Sequence, residues 1–294
     1  MTRILLTGIG GQVGWELQRT LQPLGEVVAC DRQTLDLADP DRLRAVLREI
    51  SPGLIINPAA YTAVDQAESE PELAQAINGT APGILAEEAK RLDALLVHYS
   101  TDYVFDGAKP APYAEDDPTA PLGAYGRSKL AGEKAIRASG CRHLIFRTCW
   151  VYGARGRNFL RTMLRLARER DELRVVDDQH GAPTWSRMIA EITGQALARL
   201  DGQHGIYHLA ASGETTWHGF AARIVAIANQ HGLLDKSPPV RRIVSADFPT
   251  PARRPANSRL DCDRLRNDFR LHLPDWETQL HLCLGDAAEK ANGP

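Results

Sequence analysis

Tyr125 and Lys129 stand four residues apart in Tyr125-Gly-Arg-Ser-Lys129. On a helix, positions i and i+4 share one face, about one turn apart. The pair predicts a phenol beside an ammonium near the start of a helix, with Pro121-Leu-Gly just upstream and Leu130-Ala-Gly-Glu-Lys-Ala-Ile continuing it. A phenol has a reference pKa near ~10; a neighbouring cation favours the phenolate and lowers that value, as a proton donor working near neutral pH requires. The same spacing also fits an ordinary solvated helix face. Thr101 closes the apolar run Ala94-Leu-Leu-Val-His-Tyr-Ser100, where its hydroxyl could hold a substrate oxygen while Tyr125 protonates it. Its other reading is a strand-end turn former.

Chemistry of this kind needs a cofactor and a frame. Arg3-Ile-Leu-Leu-Thr7 is a short apolar run, the pattern of a buried parallel strand. It ends in Gly8-Ile-Gly-Gly11-Gln-Val-Gly14, and Trp15-Glu-Leu-Gln-Arg-Thr-Leu then continues at helical period. Glycines 8, 11 and 14 between strand and helix let a backbone approach a pyrophosphate at a helix N-terminus, although a plain tight turn has the same look. The next strand, Glu26-Val-Val-Ala-Cys30, ends at Asp31, where a Rossmann unit places an acid on the adenine ribose. Arg32 follows and suits a 2′-phosphate, so both NADH and NADPH stay open. Asp36-Leu37 is a candidate adenine contact, ahead of a helix from Asp39 to Ile50. Gly53-Leu-Ile-Ile-Asn57 is a third strand, and the small residues of Pro58-Ala-Ala-Tyr-Thr62 suit passage over a dinucleotide.

Val64 to Arg91 reads as helical, and Gly107 to Pro121 as a surface loop over the site. His143-Leu-Ile-Phe-Arg-Thr148 is a fifth strand, followed by Trp150, which fits either a substrate contact or the core. Strands alternating with helices through residue 150 predict an α/β, Rossmann-type doubly wound parallel sheet. Residues 1–154 then form an NAD(P)-binding domain, with 184–202 packing back onto it. Residues 155–294 form a smaller, interleaved, mainly substrate-binding domain. Helices are expected at Phe159 to Arg170, Trp185 to Leu200, Trp217 to His231 and Trp276 to Lys290, and strands at Leu173 to Val176 and Gly205 to Leu209. Arg254, in the proline-arginine loop Pro249 to Leu260, is a candidate clamp for a diphosphate or a rigid surface element.

Composition excludes other classes. With 294 residues the chain can bury a sizeable core. A net charge of −2 gives no pull towards nucleic acid or an anionic membrane. No apolar run reaches the ~18 residues of a membrane span. The N-terminus runs straight into a strand, and the five cysteines are scattered without a C-x-x-C pair, which points to reduced thiols in a cytoplasm. His204 and His208 have no further ligand beside them, so no metal site is expected.

These motifs, with Ser100-Thr101-Asp102-Tyr103 and Arg147-Thr-Cys-Trp150-Val-Tyr-Gly153, together resemble the extended short-chain dehydrogenase/reductase family across nearly the whole chain. Narrower strings are similar to the dTDP-4-dehydrorhamnose reductase family within it. They are Gly11-Gln-Val-Gly-Trp-Glu-Leu, His98-Tyr-Ser-Thr-Asp-Tyr-Val-Phe, Phe146-Arg-Thr-Cys-Trp-Val-Tyr, Asp178-Gln-His-Gly-Ala-Pro-Thr184 and Pro249-Thr-Pro-Ala-Arg-Arg-Pro-Ala-Asn-Ser-Arg-Leu260. The resemblance implies that Gly11, Gln12, Val13, Asp31, Asp36, Leu37, Ala60, Tyr61, Thr62 and Tyr99 line an NADPH or NADH site. It makes Thr101, Tyr125 and Lys129 the catalytic set, and has Thr101, Asp102 and Trp150 contact a dTDP-sugar. The implied reaction takes a hydride to C4 of a 4-keto-6-deoxyhexose while Tyr125 protonates the oxygen, completing dTDP-L-rhamnose for cell-surface polysaccharide. Lys129 would hold the nicotinamide ribose and depress the tyrosine pKa.

Some members are described as magnesium-bridged dimers through two glutamates. Glu16 matches one, but Arg187 stands at the other position, so a monomer or weak dimer without a structural metal is expected. Dehydratases of the superfamily carry Thr-Asp-Glu where this chain has Tyr103 after Asp102, which leaves elimination without one acid–base group. Two further readings are an epimerase, which would retain its NAD, and a non-catalytic NADP-binding regulatory subunit, which would turn over no keto sugar.

Overall fold

Strand residues of alternating orientation build the centre of the molecule. The computed structural model describes residues 1–292. Strand β1 (Arg3–Leu6) leads to helix α1 (Gln12–Thr20), and β2 (Glu26–Ala29) to α2 (Pro40–Ile50). From β3 (Leu54–Asn57) the chain passes through α3 (Pro71–Gln75) and α4 (Ala81–Arg91) to β4 (Leu95–Thr101). Helix α5 (Ala124–Ser139) then returns it to β5 (His143–Thr148). Successive strand side chains point to opposite faces. Accordingly Ile4, Leu6, Leu54, Ile56, Val97, Leu144 and Phe146 join one apolar cluster, while Leu5, Ile55, Leu96 and Ile145 join another on the opposite face.

The rest of the chain supplies β6 (Val151–Tyr152), α6 (Phe159–Glu169), β7 (Leu173–Val176), β8 (His180–Gly181), β9 (Thr184–Trp185) and α7 (Ser186–Ala198). It continues through β10 (Gly205–His208), β11 (Thr215–Thr216), α8 (Trp217–Gln230), β12 (Val240–Ile243), α9 (Asp263–Phe269) and α10 (Trp276–Asn292). The main sheet is parallel with order β10-β5-β4-β3-β1-β2, covered by helices on both faces, as a doubly wound fold requires. The order reverses between β1 and β3, and open α/β sheets bind ligands at such a switch point.

Two expectations need correction, and one strand lies outside them. Val64 to Arg91 is not one helix: it breaks into a 3-10 turn (Gln66–Glu68), α3, a π turn (Ala76–Thr80) and α4. Pro71 fits only the first turn of a helix, and Pro82 lacks the N–H that would bond the Asn78 carbonyl in a regular α-helix. The strand at 205–208 belongs to the main sheet, paired with β5 from Gly205↔Leu144 to His208↔Arg147, so the dinucleotide sheet draws on chain well beyond residue 154. Val240–Ile243 pairs in parallel with β7; its two central arginines hid it from the hydropathy pattern.

Helix α7 packs against α1, and the larger apolar cluster runs on from the sheet into Leu160, Met163, Phe220, Trp276 and Leu284. Sheet and C-terminal layer thus share one core. The end of the second unit at residues 293–294 lies outside the described residues. Among the described residues no helix is long and apolar enough to cross a membrane.

Candidate active site

The carboxyl ends of β1, β3, β4 and β5 open into one cleft of about 960 Å³. All the residues assigned above to cofactor, proton transfer or sugar line it, from Gly8, Gly11 and Gly14 through Asp31 and Tyr61 to Thr101, Tyr125, Lys129 and Trp150, with the exception of Arg254. At the glycine end, a Cβ on Gly14 would lie 2.2 Å from the Gly8 carbonyl oxygen, so the turn closes only on glycine. Helix α1 begins there with no side chain capping it, which leaves its first N–H groups and positive dipole end towards the cleft. Ser100 Oγ and Thr148 Oγ1 are buried at the cleft and have no hydrogen-bond partner among the described residues. Buried hydroxyls of this kind call for a polar ligand. The glycine cradle, the uncapped helix and the orphaned hydroxyls all fit an anionic dinucleotide.

The ribose end is less committed. Asp31 Oδ1 accepts from the backbone N–H groups of Gln33 and Thr34 at 3.0 and 2.9 Å, and the Thr34 hydrogen bonds hold its carboxyl below the usual range. Arg32 reaches Asp36 across 3.4 Å on an exposed surface, a weak pair that a phosphate can displace. Gln12 is bridged to the far rim, its Oε1 accepting from Asn158 Nδ2 at 2.8 Å.

Tyr125 is positioned by long-range capping and by close backbone approach. Glu68 accepts the Ala124 N–H at 2.7 Å, placing a carboxylate at the N-terminus of α5, where the helix dipole favours it. Asn78, in the π turn, accepts from the Tyr61 N–H at 2.8 Å and donates to the Tyr61 carbonyl and to Ser128 Oγ, stapling the loop after β3 to α5. A Cβ on Gly126 would come within 2.2 Å of the Tyr103 carbonyl oxygen, so α5 touches the turn that follows Thr101. The Tyr125 and Tyr103 rings meet edge to face at 5.5 Å. Thr101 Oγ1 accepts from the Tyr103 N–H at 3.2 Å and donates to Asp102 Oδ1 at 3.0 Å.

Electrostatics differ from what the four-residue spacing predicts. Burial pushes the Tyr125 phenol up to about 12, against a hydrogen bond with Thr101 that lowers it. Lys129, 1% exposed, finds its partners on β4: Nζ donates to the Tyr99 carbonyl at 2.6 Å and lies 3.1 Å from His98 Nε2. Burial lowers the lysine to about 8, partly offset by Glu133. A lowered phenol pKa is therefore not a property of this arrangement. Burial also raises Asp102 to about 6, despite hydrogen bonds from Ser258 and Thr101.

Arg254 is not part of the cleft lining. It pairs with Asp65 at 2.8 Å and donates to Thr250, which latches the proline-arginine loop to the segment after β3. Trp150 stacks on Trp217, with centroids 3.7 Å apart, and takes a left-handed backbone with φ of 47°. Both indoles line the cleft. Trp217, Arg157, Ser100 and Thr148 were not singled out from the sequence; for the two hydroxyls the available signal was their place at the carboxyl ends of β4 and β5. Arg187, where the resemblance places a second glutamate, lies between Glu16, 3.5 Å away, and Asp286.

Comparison with known proteins agrees with this geometry. The family model described as RmlD substrate binding domain matches residues 1–289. A dTDP-4-dehydrorhamnose reductase of Burkholderia thailandensis is 50% identical over 295 aligned positions, covering 97% of this chain and 98% of the relative. That of Escherichia coli K12 is 47% identical over 96% and 97%. A crystal structure of dTDP-4-dehydrorhamnose reductase from Bacillus anthracis in complex with NADP superposes with a TM-score of 0.91 at 36% identity, covering 97% of this chain and 99% of that one. With family model, full-length relatives and site geometry in agreement, the chain belongs to the dTDP-4-dehydrorhamnose reductase family.

Proposed function

We propose that this protein reduces the C4 keto group of dTDP-4-dehydro-L-rhamnose to dTDP-L-rhamnose with NADPH or NADH. The observation that carries the reading is the meeting of Thr101, Tyr125 and Lys129 with the glycine loop in one cleft, in a chain 50% identical to a named reductase over nearly its whole length. When bound, the nicotinamide supplies the hydride. Gly8, Gly11, Gln12, Val13 and Gly14 would hold its pyrophosphate, and Asp31, Arg32, Asp36 and Leu37 its adenosine. Ala60, Tyr61, Thr62 and Tyr99 would line the path to the reacting end. Tyr125, with its pKa near 12, keeps its proton at neutral pH. That is the form a reductase needs, because a developing alkoxide is a stronger base than a phenolate and takes the proton downhill. Thr101 offers a hydroxyl to the same oxygen, and Lys129, one helical turn along, would hold the nicotinamide ribose hydroxyls. Asp102 and Trp150 would contact the sugar nucleotide. Arg254 would have to leave Asp65 to reach its diphosphate.

We assign sugar-nucleotide binding mainly to residues 155–294 and the dinucleotide mainly to 1–154, completed by 184–202 and by the strand Gly205–His208. The protein is read as cytoplasmic and as a monomer or weak dimer. Supporting the absence of a metal bridge, the Arg187 guanidinium already pairs with both Glu16 and Asp286 within the chain. The test follows NAD(P)H absorbance with enzymatically made keto sugar, wild type against Tyr125→Phe. Loss of about 10²–10⁴-fold in kcat is expected for a removed proton donor, and unchanged turnover in the variant would remove the assignment.

A further inference from the structure

Beneath the cleft floor, four polar side chains form an unbroken line across three strands and a helix. Thr7 Oγ1 lies 2.6 Å from Asn57 Oδ1, Asn57 Nδ2 lies 3.1 Å from His98 Nδ1, and His98 Nε2 lies 3.1 Å from Lys129 Nζ. All four residues are at most 2% exposed. Thr7 directly follows β1 and Asn57 ends β3, at the switch point, and His98 lies in β4. Nothing in the proton chemistry described above uses Thr7, Asn57 or His98. Buried polar chains are costly unless every member is satisfied, so the donor and acceptor at each junction must be consistent along the line.

With a neutral imidazole, two polarities satisfy every junction. If Lys129 is an ammonium, it donates to His98 Nε2, the Nδ1–H donates to the Asn57 oxygen, and the Asn57 amide nitrogen donates to Thr7. Only if Lys129 is an amine, with a lone pair to accept, is the opposite polarity open: His98 Nε2–H donates to it, the Asn57 nitrogen donates to Nδ1, and the Thr7 hydroxyl donates to the Asn57 oxygen. The placement of the Asn57 amide matches the second polarity; its two ends are interchangeable in shape, so a half-turn gives the first. Between the two, Lys129 gives up one proton while the imidazole remains neutral and exchanges Nδ1–H for Nε2–H.

We propose that His98 is a positioning residue for Lys129, and that the Thr7–Asn57–His98 chain reverses its hydrogen-bond polarity with the charge on that lysine. The chain holds the lysine against the Tyr99 carbonyl and links its charge to the base of the glycine loop, where Thr7 adjoins Gly8. This rests on Lys129 being the lysine of the reductase site. The other groups around it are Tyr125 and Glu133, a turn to either side on α5, with Glu133 itself paired to Arg147, and Asp102 beyond Thr101. Burial keeps His98 neutral well below its ordinary value, reinforced by Lys129, so the ring can serve as a neutral relay.

The test reads the His98 tautomer by nitrogen-15 NMR of ligand-free, histidine-labelled protein, a readout independent of substrate turnover. The Nδ1–H form is expected on the acid side of about 8 and the Nε2–H form on the alkaline side, with no transition in Lys129→Met. A tautomer that stays fixed across that range, or that titrates alike in Lys129→Met, overturns the proposal. A second arm compares NADPH affinity and the pH profile of kcat in His98→Leu and His98→Gln. Losing the acceptor in His98→Leu should move the alkaline limb at least one pH unit lower and weaken NADPH about tenfold. His98→Gln, which keeps an acceptor for the ammonium, should recover most of both. A folded His98→Leu with the wild-type profile and affinity also overturns it. If His98→Leu does not fold, the wild-type NMR decides.

Discussion

Gly126→Ala isolates the spacing between the proton donor and Thr101. The added Cβ would sit 2.2 Å from the Tyr103 carbonyl oxygen and 3.0 Å from Pro121 Cβ, and the first of these is backbone that cannot swing aside. An ordinary nonbonded separation requires an opening of about 1 Å between α5 and the turn after Thr101. The strain of overpacking costs about 1–3 kcal/mol, and alanine returns about 1 kcal/mol of helix propensity. Stability therefore falls by no more than about 2 kcal/mol, a drop of less than ~8 °C in Tm for a chain of this size. Catalysis should suffer more, because a misplacement of about 1 Å costs about 10²-fold. The assay pairs a thermal melt with NADPH consumption, using the exposed helix neighbour Arg127→Ala as the control that keeps near-wild-type turnover. A folded Gly126→Ala enzyme with kcat within about threefold of wild type refutes the idea that this contact sets the Thr101–Tyr125 geometry.

Three further outcomes follow from named contacts. Lys129→Met removes the charged donor to the Tyr99 carbonyl and should weaken NADPH binding and kcat by about 10-fold or more each, since charged hydrogen bonds contribute about 1.5–3 kcal/mol; impairment of only one would separate the two roles. Arg147 makes a bidentate pair with Glu133 at 2.9 and 2.7 Å, and both side chains are buried. Arg147→Met leaves that carboxylate unpaired and should cost roughly 3–5 kcal/mol in urea unfolding, whereas a loss below 1 kcal/mol would mean the pair is dispensable. Glu88 is buried among Arg44, Arg48 and Arg91, and the Arg48 hydrogen bond lowers its carboxyl from 4.5 to about 2. Because the folded value is depressed, its contribution of about 3 kcal/mol is present above about 4.5 and is lost as pH falls towards 2. Unfolding measured across that window should show this acid limb in wild type and a flatter one in Glu88→Gln; equal slopes would contradict it.

Short continuous apolar runs and the glycine cluster made the sheet and the cofactor edge legible from residue types alone, because both signals are local. The same holds for Tyr125 and Lys129, whose shared helix face follows from spacing. Side-chain direction was not legible. Lys129 turns to Tyr99 and His98 because burial sets a premium on satisfying its ammonium, and its partners lie on a strand some thirty residues upstream. Arg254 is drawn to Asp65, an acidic residue from the first half of the chain, and not into the cleft. The edge strand Gly205–His208 resembles any short apolar run, so only its pairing with β5 assigns it to the main sheet. Trp217 gave no local hint of the cleft; its position comes from stacking on Trp150.

The central claim, that this cleft reduces a keto sugar with an exchangeable cofactor, is tested most directly by isotope transfer. The protein is incubated with nicotinamide dinucleotide carrying deuterium at its transferable position and with dTDP-4-dehydro-L-rhamnose, and the products are read by mass spectrometry and NMR. One deuteron at C4 of dTDP-L-rhamnose per cofactor oxidised, abolished in Tyr125→Phe, is the predicted result. A sugar product without deuterium, or oxidised cofactor that stays bound while the sugar is only isomerised, would contradict the account.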